Sequence, residues 1–188
     1  MTSPRDIRRP LTTVAHDAVA AVLFDGAKAI DATMGNGHDT LFLARQVGPN
    51  GKVIAFDIQP DALTMTAQRV EALGIASRVD LRQAGHETLL RSVPPSWSGA
   101  VNAVMFNLGY LPGGDKRCVT RASTTRQALD QTIQLLTPGG RLSILLYRHH
   151  DGAEPEVDAV TRWLAGLPDA CRVDAYDSRG PVLYLVTV

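Results

Sequence analysis

The sequence predicts an α/β fold in which helices cover both faces of a mostly parallel, doubly wound sheet of seven strands. Short apolar strands alternate with segments of helical periodicity along most of the chain, a pattern typical of parallel sheets. The first predicted strand ends in a glycine-rich turn, Gly35-Asn36-Gly37. The last two strands are separated only by residues 177–181, too few for a crossover, so one strand should run antiparallel to its neighbours.

The first half of the chain supplies three strands and three helices. A helix over Thr12–Leu23 is predicted because Val14, Ala18 and Val22 share one face behind a threonine N-cap. The run Ala27–Ala32 is short and apolar, as expected of a buried strand. Glycine- and proline-containing breaks help to delimit the helix Asp39–Val47, the strand Lys52–Asp57, the helix Asp61–Leu73 and the strand Val79–Gln83.

The second half continues the alternation. Val101–Asn107 is a fourth apolar strand. Pro138-Gly139-Gly140 ends a predicted helix over Thr124–Leu136, and the strand Arg141–Tyr147 follows. Because ligands bind beyond the carboxyl ends of the strands in such sheets, the functional residues are expected there. The remaining elements are the helix Glu156–Leu167 and the strands Arg172–Tyr176 and Val182–Val188.

Composition predicts a single domain over residues 1–188, with residues 1–11 as a flexible tail. A chain of 188 residues that is 45% hydrophobic suits one core. Its zero net charge argues against a protein dedicated to wrapping nucleic acid, but permits a locally basic mouth. The two cysteines, Cys118 and Cys171, suit a reduced protein and provide no metal-ligand cluster. The chain lacks an apolar run of membrane-span or signal-peptide length, so a cytoplasmic location without membrane or metal binding is expected.

The turn after the first strand predicts a nucleotide-containing cofactor. Gly35 and Gly37 let the backbone turn tightly and let a ligand approach without a Cβ in the way. Asp57 stands at the tip of the second strand, 20 residues beyond Gly37, where a carboxylate can accept both hydroxyls of a ribose. His86 follows the third strand, where such folds place a side chain against the adenine edge.

These features alone fit either S-adenosylmethionine (SAM) or a nicotinamide dinucleotide. Thr40 replaces the third glycine of the dinucleotide pattern G-x-G-x-x-G, which provides less well for a pyrophosphate. Asp31 lies beside the loop, where an acidic group disfavours a diphosphate and favours the cationic amino end of a methionyl group. SAM is therefore the favoured cofactor, and an NAD(P)-dependent oxidoreductase is the less favoured alternative.

The end of the fourth strand predicts the chemistry. Asn107-Leu108-Gly109-Tyr110 resembles the Asn-Pro-Pro-Tyr pattern of amino-group methyltransferases. The Asn107 side-chain oxygen and the Leu108 carbonyl can accept the hydrogens of an amine and so aim its lone pair at a methyl group. Tyr110 can stack on a base. The alternative is a tight turn that is capped by Asn107 and packed by Tyr110.

Four segments together resemble one family of small bacterial proteins. DATMGNGHDTLFLA (31–44), FDIQ (56–59), AGHE (84–87) and FNLGYLPGGDK (106–116) are similar to the family labelled "putative rRNA methylase", over about residues 10–165. Members of that family are associated with the wobble uridine of tRNA, where they methylate the exocyclic amine of 5-aminomethyl-(2-thio)uridine. The resemblance implies a class I, Rossmann-like SAM-dependent methyltransferase with the tRNA anticodon stem-loop as its substrate. An rRNA base amino-methyltransferase is the alternative within the enzyme class.

The resemblance also implies the site residues. The chain departs from the family at Met34, where a cysteine is common, and in the loops 147–152 and 178–181. The implied residues are Asp31, Gly35, Asn36, Gly37, His38 and Asp39 for the methionyl part of SAM, Asp57 and Gln59 for the ribose and adenine edge, His86 and Glu87 over the adenine, and Asn107, Tyr110 and Asp115 on the substrate side.

Local charge supports an RNA partner. Residues 115–126 carry four cationic side chains against one acid, a net of +3. Arg148, His149 and His150 follow the next strand and should lie at the same edge of the sheet. A basic rim of this kind can bind phosphates. Whether the protein forms a homodimer is left open by the sequence.

Overall fold

The computed structural model describes residues 5–6, 9–109, 119–148 and 152–188, with the first two of these residues described by their backbone alone. The predicted site residues Tyr110 and Asp115 lie outside the described residues, as do His149 and His150.

A single mixed sheet forms the centre of the molecule, with β8 antiparallel to both of its neighbours and every other pair parallel. The predicted α/β sheet with one reversed strand is confirmed. Over the described residues the strand order is β1-β7-β8-β6-β5-β2-β3-β4. The strands are β1 (Arg5–Asp6), β2 (Lys28–Asp31), β3 (Lys52–Asp57), β4 (Val79–Gln83), β5 (Val101–Leu108), β6 (Leu136–Leu146), β7 (Arg172–Asp177) and β8 (Val182–Thr187).

The strand β1 is an addition to the seven predicted strands. Its two residues pair with Tyr176 and Asp177 at the edge of the sheet. The segment predicted as a tail, residues 1–11, therefore includes a backbone pairing, and Leu11 already belongs to the first helix.

Six α-helices are found in the described part of the chain, and five of them correspond to predicted ones. The exception is a single turn, α4, between β4 and β5, where no helix was predicted. Strand β6 also begins five residues before its predicted start, because the Pro138-Gly139-Gly140 segment lies within the strand at a register irregularity opposite Val101 and Ala103. The helices are α1 (Leu11–Ala20), α2 (His38–Gln46), α3 (Pro60–Ala72), α4 (Leu89–Ser92), α5 (Ala122–Leu135) and α6 (Glu154–Ala165).

Two hydrophobic layers cover the two faces of the sheet, and β5 contributes to both. Val104 and Phe106 pack on the side of α5 and α6, whereas Ala103 and Met105 pack on the side of α1 and α2. This alternation follows from the two-residue period of a strand. A strand buried on both faces needs a continuous apolar run, which is why VNAVMFN was recognisable in the sequence.

The strand order places a topological switch point between β2 and β5. From β2 the chain moves outward through β3 to β4, then returns to the other side of β2 for β5. Crevices that bind ligands open at such a point, beyond the carboxyl ends of the strands. Asp31 ends β2 and Asn107 lies near the end of β5, so the two predicted parts of the site meet there.

Two negative findings concern the described residues only. None of their helices combines the length and apolar character that a membrane crossing requires. Their histidine, cysteine, aspartate and glutamate side chains form no group of three or more that could hold a metal ion.

Candidate active site

The loop between β2 and α2 is a tight turn that is fixed by the neighbouring strands. Its backbone is joined to neighbouring strands by bonds from Ala32 N to Met105 O (2.9 Å) and from Met34 N to Phe56 O (2.8 Å). Gly37 caps α2 with φ of +78°, and a Cβ there would lie 2.5 Å from Thr66 Oγ1. Glycine is required at this position by both the backbone angle and the space.

The Asp57 carboxylate at the tip of β3 is held by two backbone donors. Its Oδ2 accepts from Gly35 N and its Oδ1 from Gln59 N, each at 2.9 Å. Each carboxylate oxygen has a second lone pair, so the group can still accept hydroxyls from a ribose. The side chain is partly exposed, as a ligand-binding group must be.

Ile58 is a candidate cofactor contact that was not predicted from the sequence. It lies between Asp57 and Gln59 with 55% of its side chain exposed, although β3 before it is buried. An exposed apolar side chain beside a sugar-binding carboxylate offers a surface that a flat purine can cover. The motif FDIQ contains a signal for this residue, because Ile58 follows Asp57, the last residue of the buried strand.

Asp31 is fully buried beneath the loop. Its Oδ2 accepts from Thr40 Oγ1 at 2.6 Å and its Oδ1 from Thr33 N at 3.2 Å. Burial, together with the neighbouring Asp39 carboxylate, raises the pKa of Asp31 to about 7 against the lowering by these hydrogen bonds. A cation bound nearby would favour the ionised form.

His86 packs under the site and is only 7% exposed. Its ring lies 5.7 Å from that of Phe106 in a tilted arrangement. Burial lowers the pKa of His86, so the ring is neutral near pH 7, although Glu87 and the Ala32 backbone act in the opposite direction. Its buried Nε2 has no partner among the described residues, and a bound cofactor could satisfy it. Glu87 is half-buried beside it, and its backbone carbonyl accepts from Gln131.

Asn107 is connected to the loop that follows β2 and to the helix after it. Its backbone N donates to Thr33 Oγ1 and its side-chain Nδ2 to Asp39 Oδ2, each at 2.7 Å. The other oxygen of Asp39 lies 2.6 Å from His16 Nε2 on α1. His16 and Thr33 were not predicted from the sequence, because the residues that they contact are 23 and 74 positions away.

Two of the predicted cofactor residues lie at and just before the start of α2. His38 is exposed in the first turn. Asn36 is half-buried, and its backbone carbonyl accepts from Arg69 Nη1 at 2.6 Å. Arg69 on α3 thus fixes the loop, and no sequence motif predicted this contact.

A hydrogen-bond network joins Gly109 to Thr120, and the predicted substrate residues Tyr110 and Asp115 lie between these two positions in the sequence. Thr120 N donates to Gly109 O (3.0 Å), and Gly109 N donates to Thr120 Oγ1 (2.9 Å). Thr120 Oγ1 in turn donates to the buried carboxylate of Glu156 at 2.6 Å, which also accepts from Thr125 Oγ1. Gly109 and Thr120 are therefore held together by this network.

Gly109 replaces the second proline of the Asn-Pro-Pro-Tyr pattern for a structural reason. Its φ of +153° is inaccessible to proline, whose ring holds φ near −65°. A Cβ at this position would lie 3.2 Å from Tyr147 Cβ. The turn after Asn107 thus follows a different backbone path from the one that the pattern suggests.

Two groups that were expected at the site also have partners within the protein. The Leu108 carbonyl, expected to hold an amine hydrogen, accepts from Tyr147 N at 3.0 Å in the sheet. Arg148, expected in a basic rim, forms an ion pair with Asp177 and donates to the carbonyls of Ser178 and Gly180. Both groups are used by neighbouring strands, which the linear sequence does not reveal.

The residues present fit SAM on four counts. The loop turns tightly at Gly37, beside the tip of β3, and the Asp57 carboxylate can accept further hydrogen bonds. Ile58 offers an apolar face, and the buried Nε2 of His86 has no hydrogen-bond partner in the described part of the chain. Fold and site together define a class I SAM-dependent methyltransferase fold with its cofactor site at the switch point.

The chain belongs to the rRNA methylase family. The family described as "Putative rRNA methylase" matches residues 53–178. Two solved relatives are each 36% identical and cover 96% of this chain and 98% of their own. One is a putative rRNA methylase from Clostridium thermocellum (TM-score 0.89), and the other a putative methyltransferase from Streptococcus mutans in complex with SAH, S-adenosylhomocysteine (TM-score 0.84).

One curated relative carries a substrate in its name. It is a chloroplastic tRNA (mnm(5)s(2)U34)-methyltransferase from Arabidopsis thaliana, 38% identical over 169 residues. The match covers 86% of this chain and 61% of the Arabidopsis protein. The SAH complex of the Streptococcus protein supports SAM, rather than a nicotinamide dinucleotide, as the cofactor of this family.

Proposed function

We propose that this protein transfers a methyl group from SAM to the exocyclic amine of 5-aminomethyl-(2-thio)uridine at the wobble position of tRNA. The observation that carries the proposal is the orientation of the Asn107 amide, whose nitrogen faces Asp39 and whose oxygen faces away from it at the switch point. The similarity to the Arabidopsis enzyme supports this substrate. The anticodon stem-loop as partner and a cytoplasmic location belong to the same proposal, and a homodimer stays open.

The cofactor would be held by groups from three loops, which follow β2, β3 and β4. Asp57 accepts the ribose hydroxyls, and Gln59, His86 and Glu87 surround the adenine. The glycine loop would hold the methionyl part, and the Asp31 carboxylate beneath that loop would stabilise its positive charge. SAM supplies a methyl group activated by its attachment to a sulfonium. The methionyl side of the site consists of Asp31, Gly35, Asn36, Gly37, His38 and Asp39.

Asn107 would aim the nucleophile. A neutral primary amine has two hydrogens and one lone pair, and the lone pair must point at the methyl carbon. When Asn107 Oδ1 accepts one hydrogen, the lone pair is left free and its direction is restricted. The Leu108 carbonyl accepts from Tyr147 N and has a second lone pair that could hold the other hydrogen. Tyr110 and Asp115 are proposed to stack on the base and to contact the substrate.

The amine must be neutral in order to attack. Its pKa is near the reference value of about 10.4 for an alkylamine, so most of it is protonated in water. A cationic sulfonium nearby disfavours a second positive charge, which lowers the pKa of the bound amine without a strong base. The site then has to position the amine and exclude water, which is where most of the rate enhancement would arise.

Nucleoside analysis of methylated RNA tests the proposal. tRNA and rRNA from a strain that lacks this gene are incubated separately with the protein and SAM, and the digested nucleosides are analysed by mass spectrometry. We expect conversion of the 5-aminomethyl to the 5-methylaminomethyl nucleoside in tRNA alone, with reactions lacking SAM as the control. A methylated base in rRNA alone would replace this proposal by the rRNA amino-methyltransferase, and methylation of neither RNA would overturn both.

A further inference from the structure

We infer that His16 and Asp39 form a positioning pair that decides which atom of the Asn107 amide faces the substrate. The inference rests on the proposed function, because it assigns these two residues to the aiming of the amine. His16 lies on α1, before the part of the chain that the family model matches, and Asp39 was expected to serve the cofactor. The pair is therefore a new element of the site.

The geometry forms a continuous chain of contacts. His16 Nε2 lies 2.6 Å from Asp39 Oδ1, and Asn107 Nδ2 lies 2.7 Å from Asp39 Oδ2. The Asp39 side chain is 11% exposed and that of His16 is 29% exposed, so both contacts are largely shielded from water. The His16 ring is stacked on Phe42 with centroids 3.9 Å apart and planes within 1°, which fixes its direction.

Asp39 determines the orientation of the amide because a carboxylate only accepts hydrogen bonds. The amide group that faces Asp39 must therefore be the NH₂ of Asn107, and Oδ1 lies on the other side. If the amide rotated by half a turn, its NH₂ would face the substrate and donate to the lone pair of the amine. That hydrogen bond would occupy the electron pair that has to attack, so the orientation separates a productive site from an inhibited one.

His16 fixes the carboxylate in turn. A carboxylate is planar, so holding Oδ1 also fixes where Oδ2 lies. The Asp39 charge raises the pKa of the nearby Asp31 carboxyl. The His16 N–H is a donor that favours the present rotamer of Asp39 over the others. His16 thus acts through Asp39 and without touching the substrate, as a positioning residue.

Three variants of His16 separate its hydrogen bond from its packing. His16→Phe keeps a ring on Phe42 and removes the donor, and His16→Leu repeats this loss with a smaller apolar side chain. His16→Gln keeps an N–H near the position of Nε2. Asp17→Asn is the matched control, because Asp17 is the next residue on α1 and forms an exposed ion pair with Arg9.

Single-turnover methylation and SAM affinity are measured for every variant, per folded molecule. We expect His16→Phe and His16→Leu to slow methylation by about tenfold while SAM affinity stays within about twofold. His16→Gln should recover most of the rate, and Asp17→Asn should match the wild type. In an Asp39→Ala background, His16→Phe should add no further loss, as expected for residues that act in series. A wild-type rate in His16→Phe, a failure of His16→Gln to recover it, or fully additive losses would overturn the inference.

A second measurement does not depend on the substrate. The side-chain NH₂ of Asn107 is observed by ¹⁵N–¹H NMR, its signals identified by their loss in Asn107→Ala. We expect His16→Phe to shift these signals and to speed their exchange, whereas Asp17→Asn leaves them unchanged. Unchanged signals in His16→Phe would refute the coupling. If the wild type methylates no RNA, the proposed function fails, but the NMR result still tests the pair.

Discussion

The Asp57 carboxylate accepts the backbone N–H of Gly35 across 2.9 Å, so the residue proposed to bind the ribose also fixes the glycine loop. Its other oxygen accepts from Gln59 N at the start of α3. Two of the loops that surround the cofactor site are thus connected through one side chain. Substitution of Asp57 should therefore weaken cofactor affinity by more than the loss of one ribose contact would.

Asp57→Ala should weaken SAM binding by at least about tenfold, since one charge-assisted hydrogen bond contributes roughly 1.5–3 kcal/mol. Calorimetric titration with SAM measures this. Asp61→Ala, an exposed acid in the first turn of α3, is the control for a general change in charge. An unchanged affinity in Asp57→Ala would remove this residue from the site.

Asn107→Ala should leave SAM binding within about twofold and reduce single-turnover methylation by roughly a hundredfold, a loss near 2.7 kcal/mol in the barrier. The reason is that Oδ1 acts on the amine, whereas the cofactor is held by other loops. Asn102→Ala is the matched control, because Asn102 lies at the opposite end of the same strand, where its side chain accepts from Lys28 N. An Asn107→Ala protein that melts early yet methylates normally would show a structural role only.

Asp31→Asn should change how stability depends on pH. The pKa of Asp31 is raised from 3.8 to about 7 in the folded protein, chiefly by burial. The protonated form is thus favoured by folding, and its stabilising contribution, complete below about pH 4, is lost as pH rises through about 7. Asp31→Asn removes this loss, so its melting temperature should exceed that of the wild type at pH 8 and not at pH 5. Equal differences at both pH values would contradict the assignment.

The same carboxyl should make SAM binding pH-dependent. A bound cation favours ionised Asp31, so wild-type affinity should rise between pH 6 and 8 as the carboxyl loses its proton. The α-amino group of SAM also titrates in this range, but it does so equally in both proteins. The difference between wild type and Asp31→Asn in calorimetric titrations isolates the protein group. A constant difference across this range would mean that Asp31 does not sense the cofactor.

Thr120→Val should weaken the hydrogen-bond network that joins Gly109, Thr120 and Glu156. The hydroxyl accepts from Gly109 N and donates to Glu156, so its loss leaves a backbone donor and a buried carboxylate each short of one partner. We expect a loss of about 1–3 kcal/mol in stability and a lower kcat/KM for RNA, with SAM affinity unchanged. Thr124→Val is the control, since that hydroxyl donates to the nearby Arg121 carbonyl at the exposed start of α5. Normal kcat/KM in a destabilised Thr120→Val protein would confine Thr120 to a structural role.

The sequence was sufficient for the fold class and for the choice of SAM as the cofactor. Period-two and apolar runs predict strands, and glycines mark the turns between them, because both depend on local geometry. The predictions for the start of strand β6 and for the turn α4 were wrong, because the local pattern and the tertiary structure disagree there. Gly139 has φ of +79° inside an irregular strand, a conformation that tertiary pairing with β5 and β8 stabilises although its residue type is typical of a turn.

The chain of residues alone therefore determined which groups could do chemistry, and the tertiary structure decided what each group is bonded to. Asn107 and Asp39 are recognisable as polar residues beside glycine turns, but only the adjacency of β5 and β2 puts them 2.7 Å apart. His16 shows no motif, since a histidine on an apolar helix face is ordinary until the helix packs against the site. The Leu108 carbonyl accepts a hydrogen bond from Tyr147 N, a contact that the linear sequence does not reveal. Hydrogen bonds are short-ranged and directional, so partners distant along the chain are settled only when folding brings their atoms together.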